Sequence, residues 1–214
     1  MTRPLSSPLL SRVMLAAVAA LVLCAGQAQA QSPDAVARRL QAKYQNVRSL
    51  SAEFTQTVNG QRLRGTIEVQ GEAFRLELPG QILVTDGSTL WSYSRDEEQV
   101  VVQDYDPSDV GFQVGQLFTD YLEVFRPTGA STATIGGVRH DVLALRPRES
   151  GSSVRDVTVY ARSSDAVPTR IRVHDVNGST LAFDLSNVRL NRRLAASRFR
   201  FTAPRGTETV DLRG

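Results

Sequence analysis

Apolar and polar residues alternate along most of this chain, and that period of two restricts the fold more than any other feature of the sequence. The alternation recurs in about ten short runs, spaced roughly 8–12 residues apart. Pairs that favour tight turns separate several of the runs: Asn59-Gly60, Asp86-Gly87, Gly136-Gly137 and Asn177-Gly178. The pattern predicts a meander of antiparallel strands, each with one apolar and one polar face.

A helix is predicted before the first strand. Ser32-Pro33-Asp34 is typical of a helix start, because it combines a capping residue, a proline in the first turn and an acid near the positive end of the helix. The apolar stripe that follows consists of Val36, Leu40, Tyr44 and Val47. The residues expected to face away from the core are Arg38, Arg39 and Lys43.

Residues 108–125 interrupt the strand pattern. Apolar residues at helical spacing predict one or two short amphipathic helices there, and they include Val114, Leu117, Phe118 and Tyr121. These elements together predict a mainly β (α+β) fold. We expect a large antiparallel sheet that curls into a half or complete barrel, with helices covering its apolar face.

The first 30 residues are typical of a secretory signal peptide. A basic start is followed by an apolar run of about 11 residues, 13–23, which is too short to span a bilayer. Ala28-Gln29-Ala30 matches a signal peptidase site, so cleavage is expected after Ala30. Residues 31–214 then form a single exported domain. In a bacterium with two membranes, that domain would be periplasmic.

Charge and cysteine content restrict the partners and cofactors. Without residues 1–30, 23 Lys and Arg remain against 22 Asp and Glu, so the net charge falls from +3 to +1 and does not favour nucleic acid. The only cysteine, Cys24, lies inside the signal, which excludes a disulfide in the mature chain. Lipidation of Cys24 is the less favoured alternative, because Leu23 precedes it where a small residue is expected.

No group of residues indicates catalysis. The two histidines, His140 and His174, are interpreted as surface residues of strands, and each following Asp points to the opposite face. Two distant histidines without a mature cysteine do not suggest a metal site. We find no nucleophile motif and no nucleotide-binding motif, and we expect neither enzymatic activity nor a cofactor.

Two charged groups have alternative interpretations. Asp96-Glu97-Glu98 is interpreted as a solvated loop in preference to a cation site. Arg170 and Arg172 share a strand face, with Arg162 expected nearby. A solvated sheet face is the simpler interpretation of these arginines, and a docking patch for an anionic surface or partner is the more specific one.

Three stretches, taken in order, resemble the periplasmic outer-membrane lipoprotein carrier family (LolA). Residues 49–56, SLSAEFTQ, are similar to the family's segment after its first helix. Residues 83–93, LVTDGSTLWSY, are similar to its central hairpin, and residues 199–206, FRFTAPRG, to its carboxyl-terminal motif. Each motif is weak alone, but their order and spacing match over essentially the whole mature chain.

The resemblance implies an incomplete antiparallel β-barrel whose apolar concave face lies under a helical lid. It also implies a monomeric carrier that takes lipoproteins from an inner-membrane ABC transporter, shields their acyl chains, and delivers them to an outer-membrane acceptor. The expected lid residues are Val114, Leu117, Phe118 and Tyr121. The expected cavity residues are Leu50, Phe54, Ile67, Val69, Phe74, Leu76, Trp91, Tyr93, Leu181 and Phe183.

The chain departs from the family pattern at one point. Family members often carry a lysine or arginine followed by a proline shortly before the position of Phe74. In the family, an arginine at that position is linked to lid closure and lipid release. Here the segment reads IEVQGEAF, residues 67–74, without either residue, and Arg75 is expected on the outer face. The release switch therefore does not carry over, and the chain could serve another lipid. Alternatives are a sensor or adaptor of the same fold, an acceptor lipoprotein anchored at Cys24, and, less favoured, a periplasmic hydrolase.

Overall fold

A computed structural model describes residues 32–58, 60–106 and 121–214. Helix α1 is Pro33–Tyr44 and helix α2 is Tyr121–Val124, and a 3₁₀ turn covers Ala196–Phe199. The strands are β1 (Ser49–Val58), β2 (Gln61–Gln70), β3 (Ala73–Glu77), β4 (Gln81–Thr85), β5 (Thr89–Ser94), β6 (Gln99–Asp104), β7 (Phe125–Ile135), β8 (Val138–Pro147), β9 (Val154–Arg162), β10 (Pro168–Asp175), β11 (Thr180–Leu190) and β12 (Glu208–Asp211). In these ranges, no helix is both long and apolar enough to cross a bilayer.

All twelve strands belong to one sheet, in the order β12-β6-β5-β4-β3-β2-β1-β11-β10-β9-β8-β7. Strands β1 to β6 form one antiparallel meander and β7 to β11 form a second, and the pairing of β1 with β11 joins them. Only β12 pairs in parallel, with β6. Since β7 and β12 lie at opposite ends of this order, the sheet is open. The predicted mainly β fold with an incomplete barrel is therefore confirmed.

The sequence pattern missed two strands and misplaced one. Strand β7 contains few apolar residues, and β12 is only four residues long, so neither has a clear alternation. The run Phe199-Arg200-Phe201 was predicted as a strand, and this prediction is wrong. Phe199 ends the 3₁₀ turn, which packs against β3, and residues 200–204 form no strand.

Pairing register determines which side chains share a face, because directly opposed residues of neighbouring strands lie on the same side of a sheet. Val69 is opposed to Leu50 on one strand and to Phe74 on the other. Leu50 clusters with Tyr44 of α1, so this side of the sheet carries the helix. We call it the inner face, and the opposite side the outer face.

Helix α1 is fixed to the inner face of β8–β10. Val36, Ala37 and Leu40 are buried against a cluster that includes Leu143 and Ile171. The predicted apolar stripe is thereby confirmed for Val36, Leu40 and Tyr44, whereas Val47 lies beyond the end of the helix. Burial of such a stripe provides most of the stability of a short helix.

An ion pair adds to this contact. Arg39 of α1 pairs with Asp141, whose side chain is 2% exposed. Asp141 also accepts a hydrogen bond from the Ser163 hydroxyl at 2.9 Å. Arg39 itself is exposed, as expected, and its long side chain reaches the buried carboxylate from the edge of the helix. The pair links α1 to β8.

A carboxyl-terminal segment covers part of the outer face. Arg198 donates to Glu68 with an Nε–Oε2 distance of 2.7 Å, and Phe199 is buried. Phe201 packs on Tyr93 with ring centroids 5.1 Å apart. The outer-face cluster under this segment consists of Ile82, Val84, Trp91, Tyr93, Val100, Val102 and Phe201. The outer face of strands β4–β6 is therefore apolar.

Candidate functional site

The inner face carries a continuous apolar surface across strands from both meanders. Eight of the ten predicted cavity residues lie on it by register: Leu50, Phe54, Ile67, Val69, Phe74, Leu76, Leu181 and Phe183. Four are buried, namely Leu50, Phe54, Ile67 and Phe74. The other four are half-buried. A face this apolar either packs onto other parts of the chain or holds an apolar ligand.

Trp91 and Tyr93 are not part of this surface. Trp91 is opposed to Val84, and Val84 to Arg75, which lies on the side opposite to Phe74. Both rings belong to the outer-face cluster covered by Phe201. Their placement on the inner face was wrong because alternation within a strand does not give its phase relative to the next strand, and a shift of one residue reverses the face.

Sequence reasoning missed several residues of the inner face. Leu83 is opposed to Leu76, and Leu90 to Thr85, so both lie on the inner face. The available signal was the unbroken apolar run Ile82-Leu83-Val84, which indicates a strand buried on both faces. Other apolar residues of the inner face are Ala52, Leu185 and Leu190.

Phe54 and Gly65 form a close contact in the middle of this surface. Gly65 is opposed to Phe54 across β1 and β2. A Cβ atom built on Gly65 would lie 2.5 Å from Phe54 Cζ and 2.6 Å from the Glu77 carbonyl oxygen. The phenyl ring therefore occupies the space that a side chain would take, and it packs edge-on against Phe183 with centroids 6.2 Å apart. The absent side chain at Gly65 lets the Phe54 ring extend over β2.

The predicted lid lies mostly outside the described residues. Val114, Leu117 and Phe118 fall in 107–120, and Tyr121 is the first residue of α2. The chain on either side contacts the inner face. Tyr105 packs edge-on against Phe74 at 6.0 Å, and Leu122 packs against the cluster under α1. The lid stays a prediction, and its two flanks both lie beside the inner face.

The histidines have structural partners. His140 is 3% exposed, with Nδ1 2.8 Å from the Val138 carbonyl oxygen and Nε2 2.8 Å from the Thr169 hydroxyl. The expectation that His140 lies on the surface is wrong, because its side chain is buried and both ring nitrogens have hydrogen-bond partners. His174 bonds Asp156 on the opposed strand at 2.5 Å. In the described ranges, no three His, Cys, Asp or Glu side chains are arranged to hold a metal ion.

The arginines that the sequence suggested as a docking patch are largely neutralised. Arg170 pairs with Asp184, and Arg162 donates to Asp165 at 2.7 Å. Arg172 lies over the Tyr160 ring, 5.5 Å from its centroid. These partners favour the simpler interpretation of a solvated sheet face.

The segment that departs from the family pattern, residues 67–74, runs from β2 into the start of β3. Gly71, with φ +60°, lies in the turn that joins β2 to β3. Arg75 lies on the outer face, as expected, and its Nε donates to Glu77 at 2.5 Å. Its guanidinium also approaches the Arg198 carbonyl oxygen at 3.5 Å. Arg75 therefore supports the outer-face segment and does not reach the candidate site.

Comparison with known proteins agrees with this fold. The family model of the outer membrane lipoprotein carrier protein LolA matches residues 45–202. An outer-membrane lipoprotein carrier protein of Bordetella avium (strain 197N) is 29% identical over 99% of this chain and 100% of its own length.

Two solved structures share the fold. An uncharacterized conserved protein from Thermus thermophilus superposes with a TM-score of 0.57 at 16% identity, covering 85% of this chain and 99% of its own. The Mycobacterium tuberculosis lipoprotein LppX superposes with a TM-score of 0.51 at 12% identity, covering 77% and 97%. The family match covers more than half of the sequence. The strand register accounts for the alternation of apolar and polar residues in this chain. The chain therefore belongs to the outer membrane lipoprotein carrier protein LolA family.

Proposed function

We propose that this protein is a periplasmic carrier that shields the acyl chains of lipoproteins, or of a related lipid, on its inner face. The observation that carries the proposal is the apolar surface shared by both meanders, in a chain whose family is one of carriers and not of enzymes. Each methylene of an acyl chain that is removed from water contributes about 0.8 kcal/mol, so burial of several methylenes favours binding. We propose that the protein acts without catalysis.

The family match supports the carrier cycle that we propose. Cargo would be received from an inner-membrane ABC transporter and delivered to an outer-membrane acceptor by a monomer. A movable lid formed by Val114, Leu117, Phe118 and Tyr121 would permit binding and release. Such a lid would let an apolar surface hold an acyl chain reversibly in water.

The proposed periplasmic location depends on whether residues 1–30 act as a cleaved signal peptide. We propose that residues 1–30 are removed after Ala30, leaving 31–214 as a single periplasmic domain. Mass spectrometry of the exported protein distinguishes a start at Gln31 from a lipidated Cys24.

The function is tested with residues 31–214 and a synthetic diacylated peptide in an equilibrium binding assay. Leu76→Glu places a charge on the half-buried inner face, and Leu117→Asp places one on the proposed lid. We expect both variants to bind at least about tenfold more weakly, because a carboxylate cannot be desolvated against an acyl chain at low cost. Val176→Glu is the matched control, since Val176 is 57% exposed in a turn.

Circular dichroism verifies that each variant is folded. If the unaltered protein fails to bind the peptide, the carrier function is wrong. If a folded Leu76→Glu variant binds as tightly as the control, the site is not on the inner face. Unchanged binding by a folded Leu117→Asp variant would contradict the proposed lid.

A further inference from the structure

A polar cleft lies at the end of the sheet where β1 begins and β2 and β11 end. Its volume is about 660 Å³, and its lining residues are Asn46, Arg48, Ser49, Gln70, Asn191, Arg192 and Arg193. They come from the α1–β1 connection, from the strand ends and from the segment after β11. The cleft is thus built from chain segments that only the fold brings together.

Three arginines line this cleft and no carboxylate does. Within residues 32–58, 60–106 and 121–214, neither Arg48, Arg192 nor Arg193 forms an ion pair. Glu53 and Glu68 line an adjoining groove of about 270 Å³ that shares Arg192 with the cleft, and Glu68 is paired there with Arg198. The cleft therefore has a local charge of +3, although the mature chain is almost neutral. Several unpaired guanidinium groups around one concavity attract an anion.

The backbone of the cleft is held in place by Asn191. This residue has φ +57°, and its side-chain oxygen accepts the Arg48 N–H at 2.7 Å. Its side-chain nitrogen donates to the Asn46 carbonyl at 3.3 Å, and its own N–H donates to the Ser49 carbonyl at 2.8 Å. The Ser49 hydroxyl donates to the Arg192 carbonyl at 2.5 Å. The side chains of Arg48 and Arg192 therefore project from a braced backbone, which lowers the ordering cost of binding.

The cleft borders the apolar cluster of the inner face. Four of its residues are direct chain neighbours of members of that cluster: Arg48 of Val47, Ser49 of Leu50, Gln70 of Val69, and Asn191 of Leu190. Ser49 and Gln70 are directly opposed and belong to the outer face, so the cleft curves around the end of the sheet from the last apolar residues of the inner face. Its positive charge comes from Arg48, Arg192 and Arg193. That arrangement matches a molecule with hydrocarbon chains and an anionic group at one end.

We propose that this cleft binds the phosphate of a lipid headgroup, while the lipid's acyl chains lie on the inner face. The assignment rests on the proposed carrier function and extends it to a phosphate-bearing lipid. Arginine is suited to this role because its planar fork can donate two parallel hydrogen bonds to phosphate oxygens. The volume of the cleft accommodates a glycerophosphate group with its bound water.

The test compares two lipids with identical chains, dioctanoylphosphatidylglycerol and dioctanoylglycerol, by calorimetric titration of residues 31–214 below the micelle concentration. We expect the phosphate lipid to bind at least about tenfold more tightly, and Arg192→Gln/Arg193→Gln to remove that preference without weakening dioctanoylglycerol. The matched control is Arg126→Gln/Arg146→Gln. These two arginines are exposed and directly opposed on β7 and β8, away from the cleft.

Inorganic phosphate, titrated alone, separates the two sources of the anion. Equal affinity for inorganic phosphate and for the phosphate lipid would overturn the headgroup assignment. Equal affinity for the two lipids, or an equal loss of the preference for the phosphate lipid in the control variant, would overturn the proposed role of the cleft. Either result would leave the carrier function intact. Failure of the diacylated peptide to bind is the separate result that removes the carrier function.

Discussion

At the scale of single residues, Gly65 shows how one missing side chain shapes the inner face. It sits in an extended strand and has no positive φ, so backbone freedom does not explain the glycine. Lack of space explains the glycine, because the Phe54 ring and the Glu77 carbonyl occupy the position of a Cβ atom. The ring of Phe54 can therefore bridge β1 and β2 and reach Phe183.

We predict that Gly65→Ala lowers the free energy of unfolding by about 1–3 kcal/mol, because the new methyl group must displace an aromatic ring and a backbone carbonyl. Gly129→Ala is the matched control, since a Cβ there meets Ala144 at an ordinary 3.7 Å. Urea unfolding of both variants measures the difference. Equal midpoints for the two would show that Phe54 moves away without cost, and the contact would not be a constraint.

At the scale of elements, the hairpin β4–β5 separates two roles that the sequence pattern combined. Leu83 and Leu90 face the candidate site, whereas Trp91 and Tyr93 face the carboxyl-terminal segment. The aromatic side of this hairpin therefore packs as core and does not line the candidate site. Phe201, which was predicted to lie in a strand, instead covers this side.

This arrangement predicts that Trp91 is a poor reporter of lipid binding. Its emission should stay unchanged while a diacylated peptide saturates the protein, because the whole sheet separates it from the inner face. A Trp91→Phe/Leu76→Trp variant should show a blue shift on the same titration, since its indole lies on the inner face. A saturable change in Trp91 emission in the unaltered protein would contradict the assigned faces.

At the scale of the whole molecule, interactions between distant segments hold the open sheet together. The β1–β11 pair joins the two meanders, and the carboxyl-terminal segment covers part of the outer face. Two carboxylates also accept hydrogen bonds within the second meander. Hydrogen bonds from His174 and then Arg155 hold the pKa of Asp156 below its ordinary value of 3.8, and a bond from Arg162 similarly lowers the pKa of Asp165.

Stability should therefore fall in acid. A carboxylate with a lowered pKa in the folded state stabilises the protein fully above its unfolded value, and that contribution disappears as the pH falls through the folded value. We predict that the free energy of unfolding declines below about pH 4. Urea titrations between about pH 6 and about pH 2.5 should show a shallower decline for Asp156→Asn than for Asp96→Asn, the exposed control. Parallel declines would show that the bond to His174 contributes nothing.

Much of the fold could be predicted from local pattern alone. The stripe of Val36, Leu40 and Tyr44 defines α1, and the alternation around Phe54, Ile67 and Phe74 defines strands with an apolar side. These patterns are local because helix and strand periodicity fix which neighbours in sequence share a face. Eight of the ten residues expected on the apolar surface consequently lie together on the inner face.

The way in which those faces combine depends on contacts between distant parts of the chain. The phase between β3 and β5 places Trp91 on the outer face, and packing around β8 buries His140. The arginine cleft depends on a contact between Asn46 and Asn191, which are 145 residues apart. Local pattern and motifs were enough to identify most strands, the first helix and the family. Register and long-range pairing then determine which surfaces meet, because they depend on turns and contacts that no local period encodes.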